Sequence, residues 1–131
     1  MPDEARHRRH ERGSATVEFA LVLPLVFALL LALVQIGILA RDRMVLEHAA
    51  RAGAREAAVT LDPGRVRGAV LEAGPTLGEA TDVTVTRTGS VGDAVSVRVV
   101  SDRSIRVPLV GWLFPRSVEM TAVATMRQEI P

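Results

Sequence analysis

The sequence predicts an α+β chain: a long N-terminal helix, a short second helix, and an antiparallel three-stranded sheet. Three observations carry this. Phe19 to Ala40 is a run of 22 residues without a formal charge. The residues after it keep an apolar face at helical spacing. Three segments in the C-terminal half alternate apolar and polar residues, as half-buried strands do.

The first element is the apolar run. Its length suffices to cross a bilayer as a helix. A secretory signal is the main rival, but the apolar core of such a signal is about 7–15 residues long. Small-residue patterns that could be cut also fall inside this run and not after it. Pro24 removes one backbone donor and can bend the helix. Gln35 and Gly37 interrupt the lipid-like character near the far end. They are read either as residues at the membrane interface or as a contact face for another helix.

Residues 41–59 continue the helix into water. Glu47, Arg51 and Arg55 recur every four residues as a polar stripe. Leu46, Ala49, Ala50, Gly53 and Ala57 form an apolar face of mostly small residues. That face either lies on the chain's own sheet, the favoured reading, or is kept for a neighbouring subunit. Asp62-Pro63 starts the second helix, as N-cap and first-turn proline. Gly74-Pro75 ends it after Ala73.

The strands follow. Asp82–Thr88 alternates Val83 and Val85 with threonines. Ala94–Val100 alternates Val95, Val97 and Val99 with Ser96 and Arg98. Gly89–Asp93 is the hairpin loop between them. Val118, Met120, Ala122, Ala124 and Met126 mark the third strand. Residues 101–116 form the connection, in which Pro108 and Pro115 bracket the apolar patch Leu109–Phe114. This patch is read as cover for the core; if exposed, it would bind a partner.

Composition excludes several functions. With no cysteine among 131 residues, there is no disulfide framework and no thiolate metal site. A net charge of +1 argues against nucleic acid, which needs a concentrated basic surface. All basic residues are arginine. His7 and His10 lie in a polar N-terminal stretch, without further ligands that would make a metal site. His48 follows Glu47 directly, and helical neighbours one apart point to different sides. No catalytic constellation is visible and no cofactor or metal is expected, so the chain reads as a non-enzyme.

One motif remains. Gly13 is followed by Ser14-Ala15-Thr16-Val17, then Glu18-Phe19 at the mouth of the apolar run. An ionisable residue there is unfavourable in lipid and is a functional candidate by default. A glycine, four residues, Glu-Phe and an apolar helix resemble the processing site of type IV prepilins and pseudopilins. Glu18-Phe19-Ala20-Leu21-Val22-Leu23-Pro24 and the block Ala49–Ala58 resemble one branch, the TadE-like pseudopilins of the tight-adherence (Flp) pilus system. The ending Ala124–Glu129 is similar to that family too.

The resemblance implies a pilin-like fold. It implies a cytoplasmic leader at 1–13, a transmembrane helix at 14–40 and an extracytoplasmic domain at 41–131. It implies cleavage between Gly13 and Ser14 by a prepilin peptidase, making Glu18 the fifth mature residue. It implies, as partners, the lipid bilayer, that peptidase, the major Flp pilin, other minor pseudopilins and the pilus assembly platform. The positive-inside rule does not orient the chain. Arg6, Arg8, Arg9 and Arg12 on one side balance Arg41, Arg43, Arg51 and Arg55 on the other. A different class stays open: an unprocessed single-pass protein that displays a small binding domain.

Overall fold

A computed structural model describes residues 4–78, 80–104 and 117–130, with side chains from residue 15 onward. The element order is α1 (Glu4–Val59), α2 (Pro63–Ala73), β1 (Asp82–Arg87), β2 (Ala94–Ser104) and β3 (Ser117–Arg127). The strands form one antiparallel sheet in the order β1-β2-β3. This is the α+β architecture expected from the sequence.

The apolar run and the aqueous stretch are one helix, α1, which continues through Pro24. Its first part stands clear of the rest of the described chain. Phe19, Leu25, Leu29 and Val34 are all exposed. Its second part is buried on one side. Leu46, Ala49, Ala50, Gly53 and Ala57 are all buried, so the face they form serves the chain's own core. Ala54 and Ala58 join them. These two stand one and two turns beyond Ala50, which makes a second small-residue row legible only once the first is in place.

The small residues matter because α1 packs on two neighbours at once. A Cβ at Gly53 would stand 2.5 Å from Val70 Cγ2 on α2 and 3.2 Å from Val97 Cγ1 on β2. Glycine permits this approach, and a larger residue would push the layers apart. Val66 and Val70 of α2 are fully buried, as are Val95, Val97 and Val99 of β2. Asp62 caps α2 as predicted, its Oδ1 accepting from the Gly64 N–H at 2.8 Å. Gly74 closes the helix, and a Cβ there would meet Leu77 Cδ1 at 2.5 Å.

Register places Val83, Val99 and Ala122 in one inner row, and Val85, Val97 and Ala124 in the next. β2 extends to Ser104, four residues past the predicted end. Its added residues, Ser101-Asp102-Arg103-Ser104, lack the valine alternation but pair with Ser117–Met120 of β3. The patch Leu109–Phe114 lies outside the described residues. The β1–β2 loop turns at Gly92 (φ 92°), where a left-handed backbone favours glycine. Asp93 Oδ2 accepts the Ser90 N–H at 2.8 Å and steadies the turn.

Candidate functional site

The candidate site is the N-terminal part of α1. The backbone is helical across the Gly13–Ser14 bond and on through Glu18 and Phe19. Ser14 and Glu18 are four residues apart, about one helical turn along the backbone. Glycine in a helix interior costs about 1 kcal/mol relative to alanine. Gly13 therefore lowers the local preference for helix at the Gly13–Ser14 bond. Glu18 is exposed, and Phe19 is 66% exposed.

From Ala15 on, α1 is long and apolar enough to cross a membrane, and its most apolar window is bare of protein contacts. A lipid phase would satisfy that surface, because an α-helix pairs its own backbone polar groups. Arg41 is the first charged residue after this apolar run, and the stretch from it to Val59 is the expected aqueous part of α1.

The domain is fastened to α1 at both ends of this aqueous part, by contacts that sequence reading did not find. Near the membrane end, Arg103 Nε lies 2.7 Å from Asp42 Oδ2. Asp42 Oδ2 is buried without a hydrogen-bond partner, so the approach is ionic and off the N–H axis. The same guanidinium reaches the Thr76 carbonyl at 3.3 Å. At the far end, Arg87 Nη2 donates to the Ala57 carbonyl at 3.0 Å and the Thr60 carbonyl at 2.6 Å. The Glu129 N–H donates to the Ala58 carbonyl at 2.9 Å. The last carbonyls of a helix have no partner within it, and a strand and the chain's end supply them here. The only sequence signal was an arginine at an inward strand position.

His48 is exposed and Glu47 half-buried. Glu47 bonds Arg43 at 3.2 Å and lies 3.9 Å from Arg51. Of the predicted stripe Glu47–Arg51–Arg55, the first two pair and Arg43 joins them, whereas Arg55 makes no ion pair among the described residues and His48 takes no part. Among the described residues, no group of three or more histidines or carboxylates could hold a metal.

Residues 13–55 match the model of the family described as TadE-like protein. The match covers about a third of the chain and takes in the motif at Gly13–Phe19 and most of the Ala/Gly/Arg block that carry the resemblance. No curated protein and no solved structure matches the chain. The match and the bare apolar helix support a pilus-associated membrane protein with one candidate span among the described residues.

Proposed function

We propose that this chain is a minor pseudopilin of a tight-adherence (Flp-type) pilus. It is processed by a prepilin peptidase and takes part in assembly, not in catalysis. The carrying observation is that the TadE-like match begins at Gly13 and runs through Glu18 and the whole apolar segment. Cleavage between Gly13 and Ser14 removes the charged N-terminal stretch and leaves a free α-amine on Ser14. Such an amine titrates near 8 and is mostly protonated at neutral pH.

Glu18 is the partner this reading assigns to that amine on a neighbouring subunit. A carboxylate at the lipid boundary gains by pairing, and the pair sets the axial register between helices. The leader lies on the cytoplasmic side and the domain from Arg41 outside. The major Flp pilin, other pseudopilins and the assembly platform are the partners.

Intact mass spectrometry tests the first step. Co-expression with a prepilin peptidase should shorten the chain by its first 13 residues, and Gly13→Arg should block this. A full-length chain in the presence of active peptidase would favour the second reading. That reading is an unprocessed single-pass protein displaying its small domain, and the unbroken helix through Gly13 is compatible with it.

A further inference from the structure

The exposure of the apolar run is uneven. None of its most apolar window is buried, yet Ala28, Leu31, Gln35 and Leu39 are half-buried. Leu29 and Leu33, two residues to either side of Leu31, are 61% and 56% exposed. The four shielded residues follow one another at steps of three or four, and Asp42, Leu46, Ala49 and Gly53 continue the series. At 3.6 residues per turn they make one stripe, on the side of α1 that faces the sheet. Leu21 and Pro24 stand on the same side, nearer the N-terminus, and are exposed. The shielding therefore ends between Pro24 and Ala28. Gln35 is the one polar side chain between Phe19 and Ala40. An amide is better satisfied by polypeptide than by hydrocarbon, and it falls within the stripe.

The sheet decides what can reach this stripe. Val97 stands beside Gly53, and Arg103 is bound to Asp42. β2 thus runs along α1 toward the apolar run, and Ser104 pairs with Ser117 at that end. The chain leaves β2 and returns to β3 there, with residues 105–116 between. Half of those twelve residues, fully extended, span roughly 20 Å. At 1.5 Å per helical residue, Asp42 to Ala28 is about 21 Å. The reach of the segment matches the limit of the shielding. Its sequence suits a lipid boundary. The apolar run Leu109–Phe114 is flanked by Pro108 and Pro115, then by Arg106 and Arg116. Arginines keep their charge at headgroup level while apolar neighbours go deeper, and tryptophan favours the boundary itself.

We propose that residues 105–116 dock on the Ala28–Leu39 stripe of their own α1. Leu109–Phe114 then forms a second contact with lipid beside the helix, and is not cover for the domain core.

The inference rests on α1 crossing a membrane, not on processing or on a pilus. The chain has one tryptophan and no cysteine, so two direct readouts are open. The full chain is reconstituted in phosphatidylcholine vesicles. Phosphatidylcholine brominated on its acyl chains near the headgroup should quench Trp112. A tryptophan inside the domain core would not be quenched. On mild oxidation, Leu31→Cys with Gly111→Cys should form a disulfide within one chain, found by peptide mass mapping of the monomer. Leu33→Cys with Gly111→Cys should not, because Leu33 stands on the far side of the helix. Unquenched Trp112 in the wild-type chain would overturn the proposal. So would no disulfide in the first pair, equal trapping in both pairs, or a disulfide found only between chains, which would give the stripe to a second copy.

Discussion

Arg103 on β2 and Asp42 on α1 are joined by an ion pair of 2.7 Å, and Asp42 is only 6% exposed. The pair lies two residues past the end of the apolar run. It holds one end of the sheet to the helix just beyond the apolar run. Arg103→Ala would leave a buried carboxylate with no cation. The expected loss is about 1–3 kcal/mol, the cost of an unsatisfied buried polar group. Replacing both members, with Asp42→Leu and Arg103→Met, should cost less than Arg103→Ala alone. Thermal unfolding of the full chain in detergent, followed by circular dichroism, measures both. A double variant less stable than the single one would refute this account of the pair.

Gly53 tests the spacing of the layers. A Cβ there comes within 2.5 Å of a valine methyl on α2. Alanine restores helix preference worth about 1 kcal/mol, so its overpacking cost is partly offset. Valine gains little of that and adds two more carbons. Gly53→Val should destabilise the domain by about 1–3 kcal/mol, and Gly53→Ala by less. Melting of both variants in detergent decides the order.

Arg87 caps the far end of α1. Hydrogen bonds to charged groups contribute about 1.5–3 kcal/mol each, but the two here share one nitrogen and a partly buried setting. Arg87→Met keeps the aliphatic packing and removes both bonds, so about 1–2 kcal/mol should be lost. Amide hydrogen exchange should rise first at Ala57–Leu61. Faster exchange confined to the Asp42 end would contradict the role given to Arg87.

Glu18 should matter for assembly more than for insertion. Glu18→Ala removes a carboxylate from the lipid boundary, so membrane fractionation should show insertion unchanged or improved. Co-purification with other pilins and pilus number should fall. Glu18→Gln should lie between wild type and alanine, or match alanine if the ionic part dominates. Normal piliation in Glu18→Ala would leave Glu18 as a carboxylate placed by the helix dipole.

Local rules sufficed for every element whose pattern is local. The 3.6-residue period of Leu46–Ala57, the cap at Asp62-Pro63, the stop at Gly74-Pro75 and the valine alternation of β1 and β2 each mark their element. Each depends on neighbours within a few residues. The Gly13–Glu18 spacing and the apolar run were legible in the same way. Contacts between distant segments had no such mark. The last four residues of β2 have no apolar alternation, and only pairing with β3 makes them a strand. Asp42 and Arg103 look like solvated charges until the antiparallel register brings them together, as does Arg87 until β1 delivers it to the end of α1. Tertiary structure also decided that Gly53 faces α2 as well as the sheet, because the close approach of two layers depends on side chains from both.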